Sequence, residues 1–279
     1  MFSLTEILDV PSIKIIDVGA SLIDGEPPYQ QLVNLNKAEI IGFEPNPAEY
    51  EKILEQKPPH LTCLPYALGD GSDGVLRICQ APGMTSLLEP DFEILEHFHG
   101  FADWATVMER QPISTHRLDD LEEVKTIDYL KLDVQGGELA VISGGKQKIE
   151  QALVIHTEVQ FIPFYQEQPL FAELDQALRE LGFYLHRFNP LISRVFKPLL
   201  INNNFYEGCS QVLWSDAIYV KRFTDFSQLS SEQLRKLALV IHEVYGSIDL
   251  VSLILKHLDA QEGTNFLVDY IQLLIQTRN

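Results

Sequence analysis

The sequence predicts an α/β fold with a doubly wound, mostly parallel sheet, followed by a C-terminal helical appendage. Three observations carry this prediction. Short β-rich runs alternate with helix-like stretches over residues 14–222, and that alternation means parallel strands joined by crossovers, with helices on both faces of the sheet. Hydrophobic residues make up 46% of the 279, so a sizeable core can be buried. After Arg222 the pattern changes to helical periodicity alone, which sets the expected division at 1–222 and 223–279.

In chain order, Lys14-Ile15-Ile16-Asp17-Val18 is a strand that ends in a turn at Gly19. A helix over Pro28 to Asn36 leads to the strand Glu39 to Phe43, and a helix over Pro47 to Glu55 leads to the strand Leu61 to Leu64. Val75 to Cys79 alternates in polarity and is expected in a short hairpin beside the main sheet. Ile127 to Asp133 is a strand running into Gly136-Gly137 and a short helix that stops at Gly144-Gly145. Ala152 to Val159 reads as a buried strand, and Leu170 to Leu181 has helical spacing. Phe183 to Arg187 and Gln211 to Arg222 are the last two strands. Residues 188–210 between them read as a loop, because they contain Pro190, Pro198 and Asn202-Asn203-Asn204. With no helical crossover there, the final strand is expected to be antiparallel. In the tail, Ser230 and Gln233 have capping-box spacing, followed by Leu234, Leu237, Ile241 and Val244. Two more helices are expected near 249–258 and 265–276. Packing on the domain is the expected role of the tail, and a homodimer through these helices is the alternative.

Composition narrows the function classes. The net charge is −19, from 21 basic and 40 acidic residues, whereas nucleic-acid and anionic-membrane binding need a basic footprint. A small-molecule, glycan or peptide partner is favoured instead. No apolar run reaches membrane-spanning length, and Met1 to Val10 lacks the regions of a secretory signal. Cys63, Cys79 and Cys209 lack metal-ligand spacing and read as reduced thiols of a cytoplasmic protein.

Ligands of doubly wound sheets bind beyond the carboxyl ends of the strands. Gly19 directly after the first strand lets the backbone approach a ligand, and Glu44, at the end of the second strand, can accept both hydroxyl hydrogens of a ribose. Their order and spacing point to a nucleoside. The turn Gly19-Ala20-Ser21-Leu22-Ile23-Asp24-Gly25 lacks the G-x-G-x-x-G of a pyrophosphate site, and Asp24 and Glu26 would repel phosphate. A phosphate-free donor, S-adenosylmethionine, tolerates this loop.

The strings IIDVGAS, IIGFEPNPAEY, PYALGD, MTSLLEP, ISTHRLDDL, IDYLKLDVQGGELAVISGG, VIHTEVQFIPFYQEQPLF and QVLWSDAIYVKR, in this order, resemble the FkbM family of S-adenosylmethionine-dependent methyltransferases. The resemblance covers roughly residues 12–222 and leaves the tail outside. It implies the seven-stranded Rossmann-like methyltransferase sheet with a reversed last strand, and O-methylation of a small molecule, glycan or natural-product intermediate. It places Asp17, Gly19, Ala20 and Ser21 near the methionine part of the cofactor. It also puts Glu44 on the ribose with Pro45 and Asn46 nearby, Ala67 and Leu68 beside the adenine, and Met84, Thr85 and Ser86 in a loop over the site. The sequence departs from the family in two places: the second loop glycine commonly comes before Gly25, and Gln135 stands where the family often has Glu.

Methyl transfer needs an aligned nucleophile and a place for its proton. Asp133 and Glu158, at the ends of neighbouring central strands, are the candidate base or acceptor-orienting groups. Lys131 and His156 share their faces and are expected to make polar contacts within the sheet. No metal is expected from two carboxylates alone, and His97-Phe98-His99 belong instead with Trp104 and Arg110 to a recognition insert over 88–112. His116, Arg117 and Asp119 read as structural. Two alternatives remain open: a non-catalytic nucleoside-binding scaffold that keeps this fold, and a nicotinamide oxidoreductase.

Overall fold

The computed structural model describes residues 2–23 and 25–277, so Asp24 of the first loop lies outside the described residues. The elements are β1 (Ile13–Val18), α1 (Gln30–Asn34), β2 (Ala38–Phe43), α2 (Pro47–Gln56), β3 (Leu61–Leu64), β4 (Ala67–Leu68), β5 (Asp73–Cys79), α3 (Phe92–Leu95), α4 (Phe101–Trp104) and β6 (Val107–His116). There follow β7 (Tyr129–Leu132), α5 (Glu138–Gly144), α6 (Lys146–Ile149), β8 (Val154–Gln160), α7 (Phe171–Glu180), β9 (Phe183–Arg194), β10 (Gln211–Lys221), α8 (Ser231–Glu243), α9 (Ile248–Glu262) and α10 (Phe266–Thr277).

Seven strands form the main sheet in the order β3-β2-β1-β7-β8-β10-β9. β1, β2, β3, β7 and β8 run parallel, and β10 is antiparallel to both β8 and β9. The reversed strand inserted beside β8 is the arrangement expected of the methyltransferase sheet. The order reverses at β1 and β7, and this switch point opens the crevice where the site lies. β4, β5 and β6 form a separate three-stranded sheet, as the alternation at Val75 to Cys79 foretold.

One expectation fails locally. Residues 188–194, read as loop, continue β9 as a strand paired with β10. β9 is the edge strand, so Pro190, which has no N–H to donate, is tolerated where a central strand would reject it. The connecting loop is confined to 195–210.

The two sheet faces carry separate cores. One gathers Ile16, Leu130, Leu132, Ile155 and Tyr219 under α5 and α7. The other gathers Ile13, Ile15, Tyr129, Val154, Ile218 and Val220 under α1, α8 and α9. α8 starts at Ser230, which accepts from Gln233 N at 3.2 Å in the predicted capping box. It buries Leu234, Leu237 and Ile241 against the sheet and fixes Lys236 to the buried Asp128 at 3.0 Å. A third cluster, with Leu95, Phe98, Phe101, Phe164 and Leu213, lies beneath the 88–112 insert.

Candidate active site

The first part of the site is a narrow cleft of about 100 Å³ at the ends of β1, β2 and β4. Its shape begins with Gly19. The residue has φ +82°, and a Cβ there would sit 1.9 Å from the carbonyl oxygen of Asp133, so only glycine fits. The amides of Gly19 and Ala20 both donate to the carbonyl of Phe43, at 3.0 and 3.1 Å, drawing the turn after β1 across the end of β2. That brings Glu44 to the cleft wall.

Glu44 is 6% exposed and accepts a hydrogen bond from Asn46 N at 2.8 Å. Burial, helped by the nearby Glu49 carboxylate, pushes its carboxyl up to about 7. Asn46 caps α2 by accepting from Ala48 N at 3.1 Å. Ser21, Pro45, Ala67, Leu68 and Ser86 complete the predicted set in this cleft, with Tyr66, Phe43 and Leu76 supplying further apolar wall. Glu44, Glu49 and Asp133 line it, and no Lys or Arg does among the described residues.

The loop over the cleft is tied down by hydroxyls. Ser86 Oγ donates to the carbonyl of Gln135 at 2.6 Å, while Tyr165 OH reaches the Met84 carbonyl at 3.1 Å and Gln135 Oε1 at 3.3 Å. Gln135 adopts a left-handed backbone at φ +54°, uncommon for a residue with a side chain. Glu138 holds this turn from below by accepting from Val134 N at 2.9 Å and Gly136 N at 3.3 Å, and burial pushes its carboxyl up to about 7.

A second, larger chamber, of about 870 Å³, lies over the carboxyl half of the sheet face that α8 covers lower down. Asp17, Ala20, Ser21, Lys131, Asp133, His156, Glu158 and Asp216 line it, with Phe101, Phe164 and Trp214 as an aromatic wall. The register explains the polar floor: Asp17 pairs with Lys131, Lys131 with His156, and Glu158 with Asp216, so these side chains share one face. Lys131 Nζ lies 3.1 Å from Asp17 and 3.8 Å from Asp133. Tyr29 OH donates to the other Asp17 oxygen at 2.5 Å. Asp133 also accepts from Gln135 Nε2 at 2.9 Å, and Glu158 accepts from Gln160 Nε2. The expected in-sheet contacts of Lys131 and His156 are both present, yet both residues also line the chamber.

The predicted residues therefore divide. Gly19, Pro45, Asn46, Glu44, Ala67, Leu68 and Ser86 gather at the cleft, Asp17, Ala20 and Glu158 at the chamber, and Ser21 and Asp133 at both. The sequence reading did not single out Tyr66, Glu138, Tyr165, Trp214 or Asp216. Glu138 had a local signal, an acid directly after Gly-Gly at a helix start. The others are brought in by tertiary contacts alone. Among the described residues, no group of His, Cys, Asp and Glu has metal-binding geometry, and no helix is long and apolar enough to cross a membrane.

A glycine turn after β1, an acid at the end of β2 and a sheet whose last strand is reversed are the features expected of an S-adenosylmethionine-dependent methyltransferase. Comparison with known proteins places it more closely. Residues 17–185 match the methyltransferase FkbM domain, and the chain belongs to that family. It is 30% identical over 182 residues to the 2-O-methyltransferase NoeI of Sinorhizobium fredii, covering 62% of this chain and 74% of the relative. Among solved structures it is similar to magnesium protoporphyrin IX methyltransferase (ChlM) from Synechocystis PCC 6803 with bound SAM, at TM-score 0.38 and 14% identity over 78% of this chain and 74% of that one. Precorrin-6y C5,15-methyltransferase from Geobacter metallireducens GS-15 gives TM-score 0.38 and 11% identity over 78% and 85%. These superpositions are loose, and the strand order itself carries the fold assignment.

Proposed function

We propose that the protein methylates an oxygen of a small-molecule, glycan or natural-product acceptor, with the donor in the cleft and the acceptor in the chamber. One observation carries the reading: Ser21, Gly83, Asp133 and Gln135 line both spaces, so cleft and chamber meet at the ends of β1 and β7. The similarity to a 2-O-methyltransferase favours oxygen over nitrogen.

The residues present fit S-adenosylmethionine. A cleft with three carboxylates and no cationic lining suits a positively charged, phosphate-free ligand and opposes a dinucleotide. When bound, that donor supplies an electrophilic methyl group on a sulfonium. Glu44 is placed to accept from the ribose hydroxyls, and Ala67, Leu68 and Tyr66 offer apolar surface to the base. Lys131 neutralises Asp17, which keeps the wall beside Gly19 from carrying two uncompensated charges. Gln135 holds one oxygen of Asp133 and thereby aims the carboxylate. With that donor bound, the carbon–sulfur bond would break as the acceptor oxygen bonds to the methyl carbon, leaving the neutral thioether, and Asp133 or Glu158 would receive or orient the proton that the oxygen loses.

The test is calorimetric titration with S-adenosylhomocysteine and with NAD, followed by transfer of labelled methyl to a panel of methyl glycosides, polyols and phenols. Binding of the first ligand alone, with label transferred to at least one acceptor and lost in Asp133→Ala, is the expected result. Binding of NAD in its place would overturn the reading.

A further inference from the structure

Asp216 lies outside the family match, on the reversed strand β10, directly opposite Glu158 in register. Cross-strand neighbours of this kind have side chains close enough to share a ligand. Its side chain is 37% exposed and lines the chamber, whereas its partner His156, whose Nε2 is 3.3 Å away, is only 7% exposed. The other ring nitrogen, Nδ1, is 3.1 Å from Tyr245 OH, and that hydroxyl is 2.8 Å from Tyr129 OH. Tyr245, just past the end of α8, is itself held. Arg187 donates to its carbonyl at 2.8 Å and lies over its ring.

With the His156 ring neutral, the chemistry of these groups sets the direction of the chain. The Asp216 carboxylate can only accept, so His156 must present Nε2–H to it, and a neutral ring then has Nδ1 as an acceptor. Tyr245 must donate to that nitrogen, and its oxygen is left to accept from Tyr129. In that arrangement the hydroxyl hydrogens of Tyr129 and Tyr245 both point toward the chamber. The reverse tautomer would set a ring lone pair against a carboxylate. Hydrogen bonds aligned in this way reinforce one another in a low-dielectric interior.

We propose that Asp216 contacts the acceptor beside Glu158, and that His156 and Tyr245 are positioning residues holding Asp216 in that orientation. The inference rests on the acceptor occupying the chamber, as argued above. It gives the C-terminal tail, which supplies Tyr245, a part in acceptor recognition and none in donor binding. A carboxylate 37% exposed needs no such support for folding, and the chain beneath it holds Oδ2 and so sets how the carboxylate faces the chamber.

The experiment has two readouts. In protein carrying ¹⁵N-labelled histidine, NMR should show His156 as the Nε2–H tautomer, and Tyr245→Phe should disturb that assignment. With the panel acceptor that the wild type methylates best, Asp216→Asn should raise the acceptor KM about tenfold or more, the loss of a hydrogen bond to a charged group. Tyr245→Phe should raise it several-fold and Asp216→Glu should partly rescue it, with the donor KM unchanged in all three. An Nδ1–H tautomer, or an acceptor KM that Asp216→Asn leaves unmoved, overturns the inference while the methyltransferase reading stands. Failure of the wild type to methylate any panel member despite binding S-adenosylhomocysteine defeats the acceptor reading, and the inference with it.

Discussion

Replacing Glu44 by Gln should move stability and donor affinity in opposite directions. The side chain sits in the cleft wall at 6% exposure, and its carboxyl is raised from the ordinary 4.5 to about 7, chiefly by burial. The native state therefore holds a proton between these values that the unfolded chain releases. The stabilising contribution is fully present below pH 4.5 and is lost as pH rises through about 7. The difference corresponds to about 3 kcal/mol at alkaline pH, which the amide, having no charge to bury, does not incur. Glu44→Gln should thus raise stability at pH 8 by up to about 3 kcal/mol and leave it nearly unchanged at about pH 4, measured by urea denaturation. Donor binding responds with the opposite sign. Ribose hydroxyls favour the ionised carboxylate, so the wild-type affinity for S-adenosylhomocysteine should climb about 30-fold from about pH 5.5 to the plateau above 7. In the variant it should be low and flat, weaker by about 3 kcal/mol at pH 8 through loss of charge-assisted hydrogen bonds. Calorimetry at several pH values decides. A variant that binds as tightly as the wild type, or a wild-type affinity indifferent to pH, refutes the assignment of Glu44.

Gly19→Ala places a methyl 1.9 Å from the Asp133 carbonyl oxygen at φ +82°. It should cost about 3 kcal/mol or more of stability by urea midpoint and abolish S-adenosylhomocysteine binding. Phe101→Ala removes a 3%-exposed ring packed against Trp104, Phe164 and Trp214. A loss of about 3–5 kcal/mol is expected, with the acceptor KM raised and the donor affinity kept, since the ring lines only the chamber. A chain ended after residue 222 uncovers Tyr129, Ile218 and Val220 and strips Asp128 of Lys236. We expect it to show no cooperative melting transition, and a truncated chain that melts sharply and binds donor would contradict this. Glu138→Gln should flatten part of the remaining decline in stability between pH 4.5 and about 7, because Glu138 is raised over the same window by the same cause.

Much of the cleft proposed for the donor was legible because its residues are local punctuation. Gly19 and Glu44 each end a strand, and one β–α unit separates them, so spacing alone puts them side by side. The short helices, the reversed final strand and the capping box at Ser230 were equally local. The chamber was less legible. Asp216 sits in a run that reads as one more apolar strand, and Trp214 two residues earlier gives no sign that it will face Phe101 and Phe164. Residues 188–194 misled because proline and asparagine signal loops, while their pairing at a sheet edge depends on partners in β10, from Arg194 opposite Gln211 to Phe188 opposite Ala217. Gln135 departs from the family in residue type. Its left-handed backbone and its ties to Ser86 and Tyr165 come from three separate elements closing on one turn.

The sequence by itself determined which residues end strands, and so the class of fold and the acid and glycine that line the first cleft. Only the tertiary structure decided which polar residues become neighbours across the sheet: Lys131 beside Asp17, Asp216 beside Glu158, and His156 over a tyrosine from the tail. The physical reason is register. Periodicity tells a strand which residues share a face, but the partner opposite each one is fixed by how the packed helices set one strand against the next.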